Sequence, residues 1–255
     1  MVAGEQAIDL NADLGETIDG VPTADDEAMF AVVSSASIAC GGHAGDAASM
    51  RAAVSRAVRF GVAAGAHPSY ADRANFGRVA RDPDRAELRA EVGSQLDALA
   101  AAGASVLYVK PHGALYHAIT VDEAQADAVA AAVADFGARL GHALPILGLP
   151  GKIERAAASA GLPFFIEAFL DRGYLASGAL VPRGRPGALL ADPHAVADRA
   201  GRLVRDGVVE TVDGALVEVR AASLCVHGDS PAAVEMARAV RAALAADGVR
   251  VEAPW

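Results

Sequence analysis

Cysteine is scarce: Cys40 and Cys225 are the only two in the 255 residues, and they form no metal-binding pair in sequence. Both read as free buried thiols in a reducing cytosol. Long hydrophobic runs are missing as well. No apolar stretch approaches the ~18 residues that would span a bilayer. The stretch Met1 to Gln6 lacks the basic and apolar regions of a secretory signal. Clustered positive charge is also absent. With 22 Lys and Arg against 32 Asp and Glu, the net charge is -10, which argues against nucleic acid or an acidic membrane as partner. Any anionic ligand must therefore be held by a few local cations. Familiar catalytic signatures are lacking too. There is no Gly-x-Ser-x-Gly elbow and no Gly-rich dinucleotide turn after the first strand. Gly148-Leu149-Pro150-Gly151-Lys152 has neither the four-residue gap nor the Ser/Thr of a phosphate loop. On these absences the expectation is a soluble, cytoplasmic protein.

What is present is apolar mass in a repeating order. Hydrophobic residues make up 53% and charged residues 21%, enough for one large core, and the length suits a single β/α barrel. Seven strand-helix units are legible. The strands are expected at 8–13, 36–41, 62–66, 105–109, 146–149, 164–168 and 223–226. Helices are expected at 25–33, 46–60, 82–102, 122–136, 151–160, 192–205 and 230–246. Residues 17–24 and the long stretch from His67 to Arg81 read as loops. Val208 to Arg220, with Val-Asp-Gly-Ala at its centre, reads as a hairpin off the barrel body. Short strands separated by helices imply right-handed parallel crossovers, and no linker is long enough to divide the chain into separate domains. The expectation is a single domain over residues 1–255.

The polar residues fall into a positional pattern. His43, His67, His112 and His227 each stand at or just past the carboxyl end of an expected strand. In a closed β/α barrel those ends form one face, the face that carries active sites. Parity agrees: Asp9, Asn11 and Asp13 alternate with Ile8, Leu10 and Ala12, Lys110 shares a side with His112, and Cys225 shares one with His227 and Asp229. One such histidine can be a loop residue that satisfies backbone groups; four at equivalent ends point to a shared site. Asp46 reads first as a helix cap, and Asp229 partly serves the helix after it. His142 and His194 read as surface residues, and His117 is left open. Cys40 takes the parity of Ile38, away from the polar set, which disfavours it as a nucleophile for His43. Asp13, His43 and His67 are a possible divalent-metal set, which spacing alone does not confirm.

Six segments then carry a resemblance: Ile-Asp-Leu-Asn-Ala-Asp-Leu-Gly-Glu (8–16), Ile-Ala-Cys-Gly-Gly-His-Ala-Gly-Asp (38–46), Gly-Ala-His-Pro-Ser-Tyr (65–70), Lys-Pro-His-Gly-Ala-Leu-Tyr (110–116), Asp-Arg-Gly-Tyr (171–174) and Cys-Val-His-Gly-Asp (225–229). In this order they resemble the LamB/YcsF family. Ser37, Gly42, Leu170 and His117 depart from residues common there. The resemblance implies an irregular seven-stranded parallel β/α barrel, TIM-barrel-like and related to polysaccharide deacetylases. It also implies ATP-dependent opening of 5-oxo-L-proline to L-glutamate, giving ADP and phosphate, together with subunits B and C of a three-component 5-oxoprolinase.

On that reading Asp13, with Glu16, is the general base on water, while His43 and His67 orient the water. His112 or His227 protonates the departing nitrogen. Lys110, with Arg78, Arg172 or Arg183, holds the substrate carboxylate and phosphate, joined at the substrate by Asn11, Glu167, His227 and Asp229. ATP, with Mg2+, enters as co-substrate, and no motif shows where it sits. Two other readings are a stand-alone metal-dependent deacetylase or amidohydrolase, and a non-catalytic substrate-binding subunit.

Overall fold

Seven strands close into a ring in the order in which they occur in the sequence, every neighbouring pair parallel. They are β1 (Ala7–Leu14), β2 (Ser35–Ala39), β3 (Ala63–His67), β4 (Tyr108–Val109), β5 (Ile146–Gly148), β6 (Phe164–Phe169) and β7 (Ser223–Cys225). The structure is a computed structural model and describes residues 6–230 and 232–255. Closure is made by β7 against β1, with Asn11 opposite Cys225. A further two-residue strand, Arg250–Val251, runs parallel to the start of β1. The barrel is irregular because β4 is only two residues long and meets β5 through the single pair Val109 and Ile146.

The helices form the outer layer: α1 (Asp26–Phe30), α2 (Ala47–Phe60), α3 (Arg85–Ala101), α4 (Gly113–Val121), α5 (Glu123–Leu140), α6 (Lys152–Ser159), α7 (Pro193–Asp206) and α8 (Ala233–Ala246). Local chemistry sets most of their ends. The Asp46 carboxylate accepts from the amides of Ala48 and Ser49 at the start of α2, and Gly61 ends that helix with a left-handed φ of 68°. Asp192, followed by Pro193, starts α7 in the same way.

Three local expectations move. The cap of α3 is Asp84, whose Oδ1 accepts from Ala86 and Glu87 at 2.8 Å, so the helix starts later than Asp82. Helix α4 occupies residues read as loop. It has no side-chain cap, and the Asp122 cap of α5 follows at once and masks it in sequence. Residues 17–22 form a small hairpin, Thr17–Ile18 against Val21–Pro22, turned by Asp19 and Gly20 with φ of 50° and 79°. A second hairpin pairs Val208–Glu210 with Leu216–Glu218. Pro231, read as the start of the last helix, lies outside the described residues, as do Met1 to Glu5. Among the described residues no helix is long and apolar enough to cross a membrane.

Alternation divides each strand between two environments. Ile8, Leu10, Ala12 and Leu14 are buried in the apolar layer, while Asp9, Asn11 and Asp13 point into the ring. The barrel interior is consequently polar through most of its depth. Asp9 sits deepest of the three, accepting from Ser34, Ser35 and Ser223, and burial pushes its pKa up to about 6. Tyr108 fills the space beside Gly65, where a Cβ would come within 2.3 Å of the phenol ring. Trp255 packs on that ring from the other side, with centroids 4.3 Å apart. The polar column meets a cavity at the carboxyl end of the strands.

Candidate active site

Two levels of polar residues fill the carboxyl end. The lower one is built around Lys110, which follows β4 and is almost wholly buried. Its ammonium lies 2.8 Å from Asp13 Oδ1, 2.8 Å from Glu167 Oε1, 3.0 Å from Asn11 Oδ1 and 3.3 Å from Cys225 Sγ. Glu167 also accepts from the Tyr116 hydroxyl at 2.9 Å and from Asn11 Nδ2 at 2.8 Å. Burial alone would lower the Lys110 pKa, but Asp13, Cys225 and Glu167 raise it well above the ordinary value. These groups consume each other's hydrogen-bonding capacity. Lys110, Asn11 and Glu167 therefore form the floor of the site, not the free ligand-holding groups expected from sequence.

The upper level holds Asp13, Glu16, His43, His67 and His112. Gly15, with φ of 71°, turns the chain after β1 so that Glu16 comes back beside the mouth. Glu16 Oε1 is 2.9 Å from His43 Nε2, and the His43 and His112 rings stack with centroids 3.6 Å apart and planes within 5°. His67 donates Nδ1–H to the carbonyl of Lys110 at 2.7 Å, and its Nε2 lies 3.0 Å from His112 Nδ1 and 3.3 Å from Asp13 Oδ2. Burial by itself would raise the Asp13 carboxyl, but the His67 and Lys110 charges hold it well below the usual range. Burial raises Glu16 and holds His43 and His112 well below the usual imidazole value, so the two stacked rings are neutral.

On the far side of the mouth stands a dyad that sequence reasoning did not single out. Asp171, two residues past β6, places Oδ1 2.9 Å from His227 Nδ1 and accepts from Ser230 Oγ at 2.9 Å. Burial would lower the His227 pKa, but the Asp171 carboxylate raises it above 6.5 and leaves Nε2 as the free end of the ring. The signal for Asp171 was its place just past a strand end, the same signal that marked the histidines.

A cavity of about 430 Å³ opens between these groups, a volume suited to a small metabolite. Asp13, His67, Lys110, His112 and His227 front it, with Arg78, Arg172 and Arg183 at the rim; Asn11, Glu16, His43, Glu167 and Asp229 stand behind. The rim arginines differ in what they have free. Arg172 spends Nε on the Ala188 carbonyl and Nη2 on that of Val181, so it ties down its own loop. Arg78 pairs with Asp229 at 2.9 Å, which occupies Asp229 as well, and lies over the Phe76 ring. Arg183 is exposed at the cavity edge. His117 also borders the cavity, whereas His142 and His194 are exposed elsewhere. Cys40 donates to the Ile38 carbonyl and burial pushes its pKa up to about 12, which rules it out as a nucleophile.

Of the metal set read from sequence, Asp13 and His67 meet at 3.3 Å, but among the described residues Asp13, His43 and His67 do not form one group of donors. Asp13 groups with Cys225 and His227, and the Lys110 ammonium beside it repels a cation there. Donor atoms within 4.8 Å of one another come instead from Glu16, His43, His67 and His112.

The LamB/YcsF family model matches residues 8–254. Among curated proteins, one named as the A subunit of 5-oxoprolinase, from Streptomyces avermitilis, is 53% identical over 252 residues, covering 96% of this chain and 99% of that protein. Another of the same name, from Paracidovorax citrulli, is 51% identical over 247 residues, covering 95% and 97%. Among solved structures, a lactam utilization protein from Thermus thermophilus superposes with a TM-score of 0.90 at 44% identity, covering 97% of this chain and all of that one. A protein named for cellobiose-phosphate cleavage, from Enterococcus faecalis, shares the fold alone, with a TM-score of 0.60 at 10% identity over 98% of both chains.

Proposed function

The chain belongs to the LamB/YcsF family, and from that premise we propose that it is the lactam-opening subunit of a 5-oxoprolinase, converting 5-oxo-L-proline to L-glutamate with cleavage of ATP. One observation carries the reading. An ionised carboxylate, Asp13, and a carboxylate-oriented imidazole, His227, front the same small cavity.

The chemistry needs both. A five-membered lactam is an unstrained amide that water attacks slowly. Transfer of the γ-phosphoryl group of ATP to the lactam oxygen, releasing ADP, makes the ring carbon a better electrophile. Asp13 takes the proton of the water that adds to that carbon. As the ring C–N bond breaks, protonated His227 gives its Nε2 proton to the nitrogen, and a second water then hydrolyses the resulting γ-glutamyl phosphate to phosphate and the new carboxylate of glutamate. Lys110 keeps Asp13 ionised from below. Arg78 and Arg183 meet the substrate carboxylate and phosphate at the rim, supplying the local cation that the overall charge of -10 demands. ATP, as its magnesium complex, is shared with partner subunits B and C, in keeping with the lettered subunit name that the relatives carry.

The test is glutamate release from 5-oxo-L-proline by this chain, with and without ATP and the two partner proteins. Release is expected only with all three. It falls as pH rises past the raised pKa of His227, because the acid must carry its proton to act. Release from the lactam without ATP, or deacetylation by the chain alone, would favour the metal-dependent hydrolase reading and overturn this one.

A further inference from the structure

His67 and His112 are each held by a backbone carbonyl on their outer nitrogen. Lys110 O lies 2.7 Å from His67 Nδ1, and Phe76 O lies 3.0 Å from His112 Nε2. A carbonyl only accepts, so both outer nitrogens carry hydrogen. The inner nitrogens, His67 Nε2 and His112 Nδ1, then face each other 3.0 Å apart, with Asp13 Oδ2 3.3 Å from the first, a geometry that a cation between them satisfies. Phe76 has a φ of 53°, a strained conformation for a bulky residue, and that strain aims its carbonyl at His112. Close to the same point come Glu16 Oε1, 3.7 Å from His112 Nδ1, and His43 bound to it. A single proton would tie the two nitrogens to each other, whereas a cation also engages the Glu16 carboxylate that His43 holds beside them.

We propose that Glu16, His67 and His112 hold one divalent ion of the zinc class, through Oε1, Nε2 and Nδ1 respectively. Bonds of about 2.0–2.1 Å to a tetrahedral ion put neighbouring donor atoms about 3.3–3.4 Å apart. The observed 3.0 and 3.7 Å lie on either side of that value. Imidazoles that bind metal donate their other N–H to a carbonyl or carboxylate, which is what Lys110 O and Phe76 O accept here. His43 is not a ligand. Its ring is parallel to that of His112 at 3.6 Å, and one ion cannot lie in both ring planes. It instead holds Glu16 in place. Three protein donors leave one position open, as in catalytic zinc sites. This assignment does not depend on the lactam reaction, so it survives failure of the glutamate assay and can fail while that assay succeeds.

Chelator-treated full-length protein titrated with Co2+ alone tests it. A visible d–d band saturating at one equivalent per chain, and abolished by added Zn2+, is the expected result. His43→Ala should weaken binding about 10- to 100-fold, as loss of an outer support does, and Glu16→Gln or His112→Asn should weaken it further. Absence of saturable binding, or binding unchanged in Glu16→Gln and His112→Asn, overturns the proposal. Where those variants do not fold, the ¹⁵N signals of the ring nitrogens in the labelled wild-type protein decide. Zn2+ must shift Nε2 of His67 and Nδ1 of His112, and unshifted signals overturn it equally.

Discussion

Asp13→Asn, reconstituted with its partner subunits, is expected to release glutamate about 10²-fold or more slowly than the natural chain while keeping its fold. The substitution preserves the size of the side chain and a carbonyl oxygen toward Lys110, so packing at the end of β1 survives. What it removes is the one carboxylate among the described residues that fronts the cavity, Glu16 and Glu167 both standing behind it. Glu16 does not substitute readily, because its Oε1 is taken by His43. Far-ultraviolet circular dichroism and a melting curve check the fold, and initial rates of glutamate release check the loss. A variant that retains more than a tenth of the rate would show that Asp13 is not the base.

Lys110→Met is expected to act on stability. The ammonium compensates two buried carboxylates at 2.8 Å each, and its removal leaves Asp13 and Glu167 without their shared cation in a closed interior. Breaking a buried pair in this way costs about 3–5 kcal/mol, because the abandoned charge is neither hydrated nor neutralised. For a chain of this size that corresponds to a fall in melting temperature on the order of 10 °C. Adding Glu167→Gln to Lys110→Met should recover part of the loss, since the second change removes one of the stranded charges. A fall of less than about 2 °C, or a double variant as unstable as the sum of the two single ones, would mean that the lysine is not the keystone of the floor.

These two residues also mark how far the sequence could be read. The strand-end position and the alternation of Asp9, Asn11 and Asp13 with apolar neighbours were enough to send those side chains into the ring, because the strand period is a local property. Closure in chain order followed from short strands alternating with helices. What each polar group faces is set across the barrel, between residues from 56 to 156 positions apart, and no local pattern encodes it. Lys110 looked like a cation for the substrate, but two carboxylates neutralise it and the Asn11 carbonyl accepts from it as well. Arg172 looked like a second one and is bound to carbonyls of its own loop. Asp171 went the other way, passing as one residue of a loop motif until His227, 56 residues later, was seen on it. The sequence pattern names the groups that reach the mouth; only the folded arrangement separates those that meet a ligand from those that hold the others.

The central claim is that one mouth, formed by ends of distant strands, receives the lactam. Titration of 5-oxo-L-proline into protein carrying ¹³C-labelled histidine rings, with signals assigned by single substitutions, reads it directly. Signals of His67, His112 and His227 are predicted to shift together with one saturation curve while those of His142 and His194 stay fixed. Saturable binding that leaves the first three unmoved, or that shifts His142 or His194 instead, would contradict the account.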